Sequence, residues 1–110
     1  MKVEIFKSAT HSNGKFAGVF EFDGEAGYLY LCNTSKEKGQ QIFAHVRVFS
    51  TPGEISESSI IVKWNKLQDV VGVYVRGILW AALGIYGGKY GGDYMYESIP
   101  NIPAEIDDSF

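Results

Sequence analysis

A chain of 110 residues with 45% hydrophobic and 21% charged side chains makes a single globular domain with one core, and is neither disordered nor fibrous. Its net charge of −3 argues against nucleic acid, which needs a basic face, and its one cysteine, Cys32, permits no internal disulfide and points to the cytoplasm. No apolar run approaches the roughly 18 residues of a membrane span; Glu4 and Lys7 interrupt the N-terminal one, so neither a leader peptide nor a membrane partner is expected.

Aromatics at 15% together with 13 glycines suit many strands joined by tight turns. Residues 3–6 alternate weakly and read as a short edge strand, and His11-Ser12-Asn13-Gly14 is a turn cluster. The chain is then dominated by a hairpin over residues 16–32, turning at Asp23-Gly24-Glu25. A two-residue loop at Gly24-Glu25 pairs Phe22 with Gly27, Phe20 with Leu29 and Gly18 with Leu31. One face is then Phe16, Gly18, Phe20, Phe22, Gly27, Leu29 and Leu31, apolar throughout. The other carries Ala17, Val19, Glu21, Tyr28, Tyr30 and Cys32. A loop at Asp23-Gly24 keeps these faces but sets Phe22 opposite Glu25, a poorer pair.

Residues 33–41 are polar and read as an exposed loop. The next strand, 42–49, alternates with Ile42, Ala44, Val46 and Val48 on one side and Phe43, His45, Arg47 and Phe49 on the other. Thr51-Pro52-Gly53-Glu54 is a turn with proline at its second position. Residues 59–65 follow as a strand, since the β-branched run disfavours helix. Residues 69–75 and 78–85 form a second hairpin around Arg76-Gly77. Past Leu83 the character changes to a tandem repeat, with Tyr86, Tyr90 and Tyr94 among four glycines. Residues 93–110 hold five acids and no lysine or arginine, whereas the first 92 hold ten basic and eight acidic residues. Pro100 and Pro103 keep an acidic tail at about 98–110 extended, with at most one helical turn over 104–108. The expected fold is all-β: an antiparallel meander of six or seven strands forming a sandwich or a partly closed barrel.

Several constellations invite chemistry. Glu21, Asp23 and Glu25 crowd the hairpin tip, but calcium needs more oxygen ligands at a defined spacing, so Asp23 and Gly24 read as turn builders and no metal is expected. Cys32 with His11 or His45 is the one thiol–imidazole combination, and nothing in the spacing joins them. His45 and Arg47 share a face and suit either an anion or a carboxylate of the same chain, Glu21 or the acidic tail. Gly84-Ile85-Tyr86-Gly87-Gly88-Lys89 is one residue short of a phosphate-binding loop, and Tyr90 stands where a hydroxyl for magnesium belongs. No catalytic constellation and no cofactor are expected.

The stretch Phe20-Glu21-Phe22-Asp23-Gly24-Glu25-Ala26-Gly27-Tyr28-Leu29-Tyr30 resembles the motif F-E-D-D-G-E-T-G-Y-F-Y of a family of small bacterial proteins catalogued as a domain of unknown function. The second hairpin, 70–82, is similar to that family's V-x-L-x-I-x-G-x-x-x-A pattern. The chain departs at Phe22 and Ala26, and at Ala44 and Arg47 where the family has an acid and a histidine. The resemblance implies a bacterial source and a shared fold, and it supplies no activity.

The expected function is therefore that of a non-enzymatic protein-binding domain with a basic partner, such as an immunity-type inhibitor that caps a toxin. Tyrosine offers amphipathic contact at small entropic cost and glycine lets a loop adapt, so Tyr90, Tyr94 and the neighbouring acids Asp93 and Glu97 are the expected partner-binding residues. A homodimer is compatible with the same features. The alternative is a small-ligand or carbohydrate module stacking its ligand on Trp80 or the loop tyrosines.

Overall fold

The structure, a computed structural model, describes residues 4–36, 41–50, 55–92, 94–95 and 100–110. Two sheets face each other as a sandwich. The first carries β1 (Ile5–Thr10), β2 (Phe16–Phe22), β3 (Ala26–Asn33), β4 (Ile42–Ser50) and the short β9 (Tyr94–Met95) in the order β1-β2-β3-β4-β9. The second carries β5 (Ile60–Trp64), β6 (Val70–Val75), β7 (Ile78–Gly84) and β8 (Lys89–Gly91) in sequence order. Every pairing is antiparallel except β4 with β9, which is parallel. A 3₁₀ turn at Glu57–Ser59 leads into the second sheet, and one helical turn, α1 (Ala104–Asp107), stands near the C-terminus.

The first hairpin has the expected register: Phe22 faces Gly27, Phe20 faces Leu29 and Gly18 faces Leu31. Gly24 takes a φ of +96° while Glu25 does not turn positive, the sign pattern of a II′ turn. Phe20, Phe22, Leu29 and Leu31 enter the core against Val71, Val73, Trp80 and Leu83 of the second sheet. The second hairpin turns at Arg76 and Gly77, both with positive φ (52° and 81°), as a I′ turn requires.

Strand β4 departs from simple alternation. Its pairing with β3 shifts register between Gly27 and Tyr28 and again between Leu31 and Cys32. Each bulge inserts one residue and so swaps the side chains beyond it to the opposite face. Only the middle keeps the expected grouping. Phe49, expected beside His45 and Arg47, is instead fully buried against Phe20, Phe22 and Trp80. At the other end Ile42 lies opposite Cys32, and Phe43 packs on Phe16 with ring centroids 6.0 Å apart.

Two seams join the sheets. At one, the Trp64 indole N–H donates to the Ala9 carbonyl at 2.9 Å, and His11 Nε2 bonds the Gln68 carbonyl at 2.6 Å. The Asn13 N–H donates to His11 Nδ1 at 3.0 Å, which leaves Nε2 to donate to the Gln68 carbonyl. At the other seam the chain crosses from β8 to β9 through Gly91 and Gly92, whose φ values are +76° and +105°. A β-carbon at Gly91 would strike the Trp80 carbonyl oxygen, and one at Gly92 would strike Val46.

Beyond Pro103 the acidic tail makes the one helical turn expected there and then lays its last residue, Phe110, on the second sheet. Phe110 sits edge-on to Tyr74 at 5.7 Å, close enough to Gly72 that a β-carbon there would lie 2.8 Å from its ring. Ser109 is anchored twice, its carbonyl accepting from the Lys66 N–H at 3.0 Å and its hydroxyl from Asn65 Nδ2 at 3.2 Å. Asn65, 2% exposed, also donates to Asp69 Oδ1 and accepts from the Asp69 and Val70 N–H groups, so its amide is fully satisfied.

Candidate functional site

The two outer faces of the sandwich differ. That of the second sheet is covered by its own chain only over β6 and β7, where Leu79 is 2% exposed, Gly72 and Ala82 are buried and Phe110 lies against Gly72 and Tyr74; toward β5 Ile61 is 54% exposed. That of the first sheet has no such layer among the described residues, and Phe6 and Ile42 are 55% and 57% exposed on it.

Strand pairing lays this bare face out in rows. Phe6, Glu21, Tyr28 and Arg47 face one another across β1 to β4, and the next row is Ser8, Val19, Tyr30 and His45. Thr10, Ala17, Cys32 and Ile42 make the third. Tyr28 and Tyr30 stack with centroids 6.3 Å apart and planes 27° apart. Tyr30 and His45 lie 6.3 Å apart at 32°. The result is an aromatic ladder across the sheet, built by period-two alternation along each strand. An open depression of about 330 Å³ lies between Phe6, Val19, Glu21, Tyr30, Cys32 and Ile42. A second, of about 390 Å³, lies beside Tyr28, His45, Arg47 and Lys89.

The ionisable groups of this face are set against nucleophilic chemistry. Burial, and then the charge of Glu21, pushes the Cys32 thiol up from its ordinary range. The same two causes raise the Tyr30 phenol, with smaller effects from Tyr28 and Asp23. Both therefore keep their protons at neutral pH. Asp23 does not join Glu21: its Oδ1 accepts the Glu25 N–H at 2.8 Å and the Ala26 N–H at 2.9 Å, and it builds the turn. His11 is remote from Cys32, with both ring nitrogens engaged at the seam, and His45 stands opposite Tyr30 rather than Cys32. Among the described residues no three His, Cys, Asp or Glu side chains gather as a metal site.

Of the residues singled out in the tyrosine–glycine segment, Tyr90 and Tyr94 stand on different sheets. Tyr90 is half-buried on β8, opposite Ala82 in the second sheet, with its phenol folded over Gly88. Tyr94 belongs to β9 and pairs with Phe49 in the first sheet. Asp93 and Glu97 lie outside the described residues. Tyr86, at the turn before β8, is 88% exposed. Trp80 is no stacking platform. It is 1% exposed and stands edge-on to Phe49 at 5.7 Å, because the register between β6 and β7 shifts at Val73 and Tyr74, leaving Trp80 as the extra residue of β7 and turning its indole into the core.

Sequence reasoning placed Glu21, Tyr28, Tyr30 and Cys32 on one face but missed that no other described segment covers it. That depends on where the C-terminal segment lands, which no local pattern records.

Fold and site together define a small β-sandwich with one outer face partly covered by the C-terminal segment and the other lined by an aromatic row. The chain belongs to a family of uncharacterized proteins conserved in bacteria, DUF2251, whose model matches residues 2–84. The match ends with β7, so the Tyr86 turn, β8, β9 and the C-terminal cover lie beyond it. Neither a curated protein nor a solved structure matches the chain.

Proposed function

We propose that this protein is a non-enzymatic protein-binding domain that receives a basic protein partner on the open face of its first sheet. In this reading it plays the part of an immunity-type inhibitor toward a toxin. The observation that carries the reading is the aromatic row on the outer face of the first sheet: Tyr28 and Tyr30 stack there beside exposed Phe6 and Ile42, with no described segment packed over them as Phe110 packs over Tyr74 on the other sheet. Aromatic side chains held flat and rigid are the usual anchors of an interface. The net charge of −3 favours encounter with a cationic surface.

The test is co-expression with the basic product of an adjacent gene. The expected result is restored growth of cells that the product alone arrests, and a purified complex that Tyr28→Ala weakens by about tenfold or more without lowering the melting temperature. Growth arrest that continues, with no complex between the purified proteins, would overturn the reading.

A further inference from the structure

Glu21 occupies an unusual position on the open face. It projects from β2 one residue before the strand ends, with Phe6 opposite on β1 and Tyr28 opposite on β3, and it is half-buried among them. Among the described residues no group hydrogen-bonds or ion-pairs with its carboxylate. Half-burying a charge without a partner is costly, and a carboxylate so placed favours the arrival of a cation. Its charge is felt locally, since it helps hold Tyr30 and Cys32 in their protonated forms.

We propose that the depression bounded by Glu21, Phe6, Tyr30 and Ile42 is a receptor for an arginine side chain of the protein partner. The guanidinium lies along the Tyr30 ring and turns its fork of N–H donors to the Glu21 carboxylate, while Phe6 and Ile42 flank the aliphatic stem. Arginine suits the place better than lysine. Its cation is planar, more weakly hydrated, and matches both a ring face and a carboxylate edge. The chain already seats a cation in this way on its other sheet, where Lys63 Nζ stands 5.0 Å from the Tyr74 ring centroid. The depression is open, so a lone guanidinium binds weakly and the rest of an interface must hold it in place. The assignment deepens the protein-binding reading and rests on it for the source of the arginine.

The experiment separates the two. Isotope-labelled protein is titrated with methylguanidinium and followed by amide chemical shifts. Saturable shifts are expected at Glu21, Tyr30 and Cys32, with methylammonium binding more weakly. Glu21→Gln, a near-isosteric change on the surface, and Tyr30→Leu should each weaken binding by about tenfold, with melting temperatures recorded for both. Shifts that are non-saturable, or unchanged in Glu21→Gln, overturn the receptor. If the adjacent-gene product binds and Glu21→Gln leaves its affinity intact, the binding-domain reading stands and the arginine site falls. If methylguanidinium saturates the site but the product does not bind, the reverse holds.

Discussion

At Gly24, the residue on which the first hairpin turns, φ is +96° and a β-carbon would lie 2.9 Å from Glu4 Oε2. The Glu4 carboxylate ends a flexible, exposed side chain and can swing aside, but the positive φ resists a branched residue, so Gly24→Val should destabilise by about 1 kcal/mol or more in urea denaturation. Asp23→Asn should cost much less, because an amide oxygen can accept from the same Glu25 and Ala26 N–H groups. What the amide loses is acid sensitivity. The Ala26 N–H and then the Glu25 N–H hold the Asp23 carboxyl below its ordinary range. A folded-state pKa below the unfolded one contributes stability above the ordinary carboxylate range and loses it as pH falls through the lowered value. Solvent exposure keeps the effect small. The urea midpoint of the wild type should therefore fall slightly more steeply than that of Asp23→Asn between about pH 5 and pH 2. Equal slopes would remove the charge from the account of the turn. At this scale the sequence was informative wherever a partner lies close along the chain, as for Asp23 and Gly24. His11 was opaque because its Nε2 partner is the carbonyl of Gln68, 57 residues away.

Among the elements, β2 and β3 were readable to the register because one unbroken apolar face leaves two loops to choose between, and only the Gly24-Glu25 loop spares Phe22 a charged partner. Strand β4 was readable as a strand but not in its faces, since its two bulges leave no mark in the alternation. The short β8 and β9 were hidden in a glycine repeat with neither period, and β9 gains its place only by pairing with β4 in parallel. The C-terminal segment was read as a tail because its charge dominates its few apolar residues. Its role in covering the second sheet predicts that Phe110→Ala destabilises by about 1–3 kcal/mol, the half-buried share of a core phenylalanine. Urea denaturation measures it. Unchanged stability, with tryptophan emission also unchanged, would reduce the segment to an ornament on a sheet that is stable without it.

The whole molecule is a flat sandwich, 35 × 34 × 21 Å along its principal axes, and its class was legible from strand count and turn spacing alone. Where the C-terminal segment packs was not, because Phe110 meets Gly72 and Tyr74 from far along the chain. The two sheets are nearly separate meanders, β1 to β4 and β5 to β8, each built from strands adjacent along the chain. The Gly91–Gly92 crossing, by contrast, can form only after a sheet stands on each side of it. Its contribution therefore belongs after the folding barrier, where it governs escape from the native state rather than arrival. Gly92→Val, which would drive a side chain into Val46 and the Arg47 carbonyl, should raise the unfolding rate by about tenfold or more while refolding changes by less than about twofold. Stopped-flow mixing reads both arms, and an equal slowing of refolding would place the crossing in the nucleus instead. On this view the hairpins set how fast the protein forms, and two glycines at the crossing set how long it lasts.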